Sequence, residues 1–158
     1  MSNNKKYYFM KIKDDFLDRD DIKWLMSEPD GPQYVCLYLA LCIRSLRHEG
    51  KLIQQVGNDE IPYDVHGLSR LTGMPPSVVE AGMHRLIRAQ LVEILPPTEA
   101  MMTGAFYISH YESMVGSETD SAIRMRKMRQ NRQAATRMQK MRSRKKEALP
   151  PGNAVKNT

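Results

Sequence analysis

Apolar and polar positions mark out an order of elements along the chain. Tyr7 to Lys13 (YYFMKIK) alternates and is rich in aromatics, which predicts a first strand. Asp14, Asp15, Asp18, Asp20 and Asp21 come next. They precede Ile22, Trp24, Leu25 and Met26, so they read as the capping and first-turn acids of a short helix rather than as a carboxylate cluster for a metal. Gly31-Pro32 opens a longer helix, Gln33 to His48. Its apolar residues Val35, Leu37, Tyr38, Leu39, Leu41, Cys42, Ile43 and Leu46 cover most of the circumference, and Arg44 and Arg47 form one polar stripe. A helix of that kind is predicted to sit at the centre of a small domain, with Gly50 ending it. Cys36 and Cys42 are turned about 240° apart on that helix and cannot pair, so both read as small buried hydrophobes.

Lys51 to Ile61 reads as an extended excursion around Gly57-Asn58-Asp59. Asp64 is placed to cap a helix through about Leu71, with Val65, Leu68 and Leu71 on its inner face. Thr72-Gly73-Met74-Pro75 makes a tight turn, and Pro76 starts a second helix through Gln90, where its missing N–H sacrifices no intrahelical bond. Two short helices around such a turn form a helix-turn-helix. Leu91 to Leu95, a loop from Pro96 to Gly104, and Ala105 to Tyr111 then read as a hairpin, which in that position is a wing. The predicted fold class is therefore mainly α with small β: a winged helix-turn-helix domain over residues 7–115, then a basic, disordered or helical tail over 116–158.

The second helix of the motif divides by angle. Gly82, Met83, Leu86, Ile87 and Gln90 share one side and are expected to pack, whereas Ser77, Ala81, His84, Arg85 and Arg88 share the other. Small residues and donors on one face are what a helix in the major groove needs, so these five are the candidate recognition residues. The wing between Pro96 and Gly104 has no Lys or Arg and carries Glu99, leaving Thr98 and Thr103 as its donors.

Charge changes the picture. Residues 1 to 120 hold 12 basic and 17 acidic side chains (net −5), whereas 121 to 158 hold 12 basic and 1 acidic (net +11). The acidic body alone is expected to bind a polyanion weakly. The tail compensates with Arg124, Arg126, Lys127, Arg129, Arg132, Arg137, Lys140, Arg142, Arg144, Lys145 and Lys146, without an acid among them. Arg124 to Arg129 (RMRKMR) recurs thirteen residues on as Arg137 to Arg142 (RMQKMR), an offset of about 220° that aligns no apolar seam and argues against a coiled coil. All eleven aromatics lie between Tyr7 and Tyr111, so the tail reads as a disordered or fraying helix that orders on a polyanion. No apolar run has the length of a membrane span, and Met1 to Lys6 lacks the apolar stretch of a signal peptide, so a cytoplasmic protein is expected. His48, His66, His84 and His110 are dispersed, and neither a phosphate loop nor a nucleophile with a nearby base occurs. The expectation is a non-enzymatic protein without metal or cofactor.

Several separated motifs resemble one family. Tyr7 to Phe16 (YYFMKIKDDF), Ile22-Lys23-Trp24-Leu25, Ile61-Pro62-Tyr63-Asp64, and Met114 to Ala122 (MVGSETDSA) with its Arg-rich continuation closely resemble the N-terminal domain of phage replisome organisers, over about residues 7–132. The resemblance implies a winged-helix replication-initiation protein of a phage or prophage that recognises origin DNA and helps recruit the host helicase or helicase loader; the DNA partner is expected to be double-stranded. Related primosome proteins of the DnaD type use such a domain for self-association. The alternative readings are a protein-interaction and oligomerisation module of a primosome and a phage transcriptional regulator, since one scaffold serves all three.

Overall fold

A computed structural model describes residues 6–98 and 104–147, apart from the side chains of Asp120, Lys146 and Glu147. The elements run β1 (Lys6–Met10), α1 (Asp20–Ser27), α2 (Gly31–Ser45), β2 (Ile53–Val56), β3 (Asp59–Pro62), α3 (Val65–Thr72), α4 (Pro76–Arg88), β4 (Val92–Leu95), β5 (Ala105–Ile108), the single turn α5 (Tyr111–Met114), β6 (Val115–Thr119) and α6 (Asp120–Glu147). Among the described residues the chain is mainly helical with three two-stranded sheets, β1–β6, β2–β3 and β4–β5. By contacts it divides into a unit Tyr8–Ser117 and a second that contains α6, and each is described by itself.

The core of the first unit forms around α2. Leu37, Tyr38, Leu41 and Cys42 are buried on it, against Ile22 and Leu25 of α1, Leu68 of α3, Val79, Met83 and Leu86 of α4, and Leu91, Val92 and Ile108 of the β4–β5 hairpin. Phe16 stacks parallel to Tyr38 with centroids 6.5 Å apart. The corner between α1 and α2 is tight enough to require glycine: a Cβ on Gly31 would overlap Leu25 O and lie 2.6 Å from Met26 O. Asp30, in the left-handed region at φ 62°, turns the chain into that corner. The excursion after Gly50 closes as a regular antiparallel hairpin, Ile53 opposite Pro62 and Val56 opposite Asp59.

Four sequence expectations need correction. The first strand ends at Met10 rather than Lys13, and its partner is β6. Cys36 is exposed and only Cys42 is buried, because α2 is covered on fewer sides than its composition suggests. Ile43 is 58% exposed for the same reason, next to Arg44. Gln90 follows the end of α4 in the left-handed conformation (φ 57°) and is exposed, so it does not extend the packing face. Of the two states expected for the tail, the helix is the one adopted. No helix among the described residues is long and apolar enough to cross a membrane.

Candidate nucleic-acid interface

Local chemistry shapes the helix pair. Asp64 Oδ1 accepts the Gly67 N–H at 2.6 Å, satisfying one of the free donors at the start of α3. Gly73 ends α3 in the left-handed conformation, with its N–H bonded to Ser69 O. Ser69 Oγ then donates to Met74 O at 2.6 Å, which ties the turn back onto α3. Pro76 occupies the first turn of α4. Buried Val79, Gly82, Met83 and Leu86 form the inner face of α4, with Ile87 half-buried beside them.

The five candidate recognition residues fall into two groups. Ser77, His84 and Arg88 are exposed, whereas Ala81 and Arg85 are half-buried. Arg85 is engaged within the fold: its Nε donates to Glu28 Oε2 at 2.8 Å, its guanidinium donates to Ala81 O at 3.1 Å and lies 4.9 Å from the centre of the Tyr34 ring. The side chain therefore braces α4 against α1 and α2 rather than projecting from the outward face. Arg88 lies 5.7 Å from the centre of the Trp24 ring, a loose contact that leaves its donors in solvent. Glu28 and Trp24, the partners of this face, carry no mark in the sequence pattern. The Glu28–Arg85 pair spans 57 residues, and no local periodicity carries such a contact.

The β4–β5 hairpin follows α4 directly, with Val92 opposite Ile108 and Leu95 opposite Ala105. Its tip, including Glu99 and Thr103, lies outside the described residues, while Thr98 is exposed. Ser109 Oγ donates to Glu93 Oε1 at 2.9 Å across the base of the hairpin.

Helix α6 has 28 residues, about 42 Å at 1.5 Å per residue. Ten of its candidate side chains are exposed: Arg124, Arg126, Lys127, Arg129, Arg132, Arg137, Lys140, Arg142, Arg144 and Lys145; that of Lys146 lies outside the described residues. Arg124 and Arg142 share an azimuth, as do Arg126 and Arg144, and Lys127 and Lys145, because eighteen residues make five turns. The remaining cations fall between these lines, so positive charge surrounds the helix. Met125, Met128, Met138 and Met141 are all more than half exposed and form no seam. Near its start, Arg126 donates to Glu118 Oε1 at 2.9 Å. Groups of three or more potential metal ligands do not occur among the described residues.

Neither the curated proteins nor the solved structures contain a match to this chain. The family model described as the N-terminal phage replisome organiser matches residues 9–147, which takes in both the packed helices and the basic helix. With most of its length inside that match, the chain belongs to the N-terminal phage replisome organiser family and has a role in phage replication.

Proposed function

We propose that the protein initiates phage DNA replication by binding double-stranded origin DNA without catalysing a reaction. In this reading α3, α4 and the β4–β5 hairpin act as a winged helix that selects or orients the site, and α6 supplies the affinity. It works in the host cytoplasm, next to the host helicase or its loader.

The observation that carries the reading is the surface of α6, with ten exposed cations and no acid between Ser121 and Lys146. Neighbours three apart repel one another along the helix: Arg124 with Lys127, Arg126 with Arg129, Arg129 with Arg132, Arg137 with Lys140, and Arg142 with Lys145. Each such pair opposes the helix by about 0.2–0.5 kcal/mol. Phosphates lining both walls of a groove relieve that repulsion on the two flanks that face them, which a helix charged around its circumference can use in any orientation. Helix α6 has no aromatic residue for base stacking, so its chemistry favours duplex phosphates over single strands. Exposed Ser77, His84 and Arg88 provide hydrogen-bond donors for base edges and phosphates.

The test is a fluorescence-anisotropy titration of the full chain, and of a chain truncated after Asp120, against duplex flanking its own gene and matched random duplex. If about six of the α6 cations neutralise phosphates, log affinity should fall against log salt with a slope near −5, roughly three orders of magnitude between about 50 and 200 mM. Truncation should remove most of the affinity and flatten that slope, while the preference for the native duplex survives as a ratio at low salt. Unchanged affinity and slope after truncation would show that α6 does not bind DNA.

A further inference from the structure

A cavity of about 390 Å³ lies inside the first unit, between the segment that joins β1 to α1 and the turn α5. Met10, Phe16 and Met114 give it an apolar wall, and Tyr38 closes it from α2. Tyr38 is 1% exposed. Burial pushes its hydroxyl up, so the group stays protonated and able to donate. Its hydrogen-bond neighbours among the described residues are two sulfurs, Met114 Sδ at 3.7 Å and the Cys42 thiol. Both are weak acceptors, so an oxygen entering the cavity is a better partner for that proton.

The lining is cationic within a unit that is otherwise net acidic. Lys11, Lys13 and Arg19 stand against Asp15, the one acid among the described residues that line the cavity. Lys11 and Lys13 are exposed and form no ion pair among the described residues. Asp21 accepts from Arg19 Nε at 3.0 Å and from one terminal nitrogen, which leaves the other terminal nitrogen without a hydrogen-bond partner among the described residues. The guanidinium lies 5.9 Å from the centre of the Phe16 ring and acts electrostatically on the Tyr38 hydroxyl, so the two donors converge. Phe16 and Tyr38 are buried and stacked on each other, and neither offers a free face to a base.

We propose that this cavity takes the C-terminal residue of a partner protein, an apolar side chain with a free carboxylate, preceded by acidic residues. The apolar wall receives the side chain, Tyr38 and Arg19 donate to the carboxylate, and Lys11 and Lys13 at the rim face the acids before it. Charge selects this occupant: an anionic peptide is drawn to a cationic hollow in an acidic surface, and a basic one is not. The site goes beyond DNA binding and does not depend on the role given to α6, which lies outside this unit.

The test uses the full chain and the anisotropy of a labelled, aspartate-rich peptide that ends in Leu-Phe with a free carboxylate. Its control ends in an amide and carries one extra aspartate, so α6 meets the same charge on both and the ratio of affinities isolates the terminus. That ratio should be roughly 10- to 150-fold in favour of the free acid, the range of hydrogen bonds to a charged group. Tyr38→Phe keeps the ring, removes the donor and should cut the ratio by about 5-fold or more. Arg137→Glu in α6 should leave the ratio unchanged. An NMR titration of the wild-type chain with the same peptide reads the site without any substitution and should shift the amides of Lys11, Lys13 and Met114. A wild-type ratio near one, an unchanged ratio in Tyr38→Phe, or shifts confined to α6 would overturn the proposal. So would an oligonucleotide that shifts the same three amides, or sedimentation showing a wild-type dimer that Lys13→Glu dissociates, because nucleic acid or a second copy would then occupy the cavity.

Discussion

Replacing Arg85 with alanine separates a brace from a DNA contact. The substitution removes the 2.8 Å ion pair with Glu28, the bond to Ala81 O and the guanidinium over the Tyr34 ring. The two charged side chains keep 29% and 28% of their exposure, so solvent screens the pair and its share is about 0.5–1 kcal/mol. The ring contact adds about 0.5–1 kcal/mol. A loss of about 1–2 kcal/mol should lower the melting temperature by roughly 4–8 °C for a domain of this size. Trp24 is the single tryptophan and sits on α1, so its fluorescence follows the transition. Glu28→Ala should cause a similar drop, and the double variant should cost less than the two losses added together, because both remove one interaction. Arg88→Ala should melt within about 4 °C of the wild type, since the loose contact with Trp24 is worth under about 1 kcal/mol. Duplex binding measured well below the melt should show the opposite order: intact for Arg85→Ala, and about 1–3 kcal/mol weaker for Arg88→Ala if Arg88 reads a base. If Arg85→Ala weakens DNA binding at an unchanged melting temperature, the bracing role is refuted.

Two further outcomes follow from packing. Gly31→Ala should destabilise the first unit by about 3 kcal/mol, because the added methyl meets the backbone oxygens of Leu25 and Met26, which cannot rotate away; a urea melt with a lowered midpoint and unchanged slope checks this. Iodoacetamide at about pH 8 should label the native chain once, at exposed Cys36. Burial covers Cys42 and pushes its thiol up to about 12, so the second label should appear only on unfolding, as mass spectrometry would show.

The local features were legible because their causes are local. Asp64 capping α3, Gly73 ending it and Pro76 opening α4 each act within a few residues, so composition and spacing alone place the helix pair and the hairpin after it. The charge of α6 is likewise a property of its sequence, and it bars that segment from joining a core. Periodicity also marked Leu37, Tyr38, Leu41 and Cys42 as residues able to be buried.

Tertiary structure decided which able surfaces found a partner. Cys36 and Ile43 lie on the same apolar helix, and their exposure depends on where neighbouring elements stop. Arg85 looked like any outward arginine on α4 until the α1–α2 corner brought Glu28 and Tyr34 to it. The pairing of β1 with β6 joins residues about a hundred positions apart, as in the Lys11–Met114 bond, and leaves the Phe9 ring over Gly116. A strand's pattern shows that it can pair and which faces alternate, but its hydrogen-bonding groups are the same for any partner, so only the folded chain selects one.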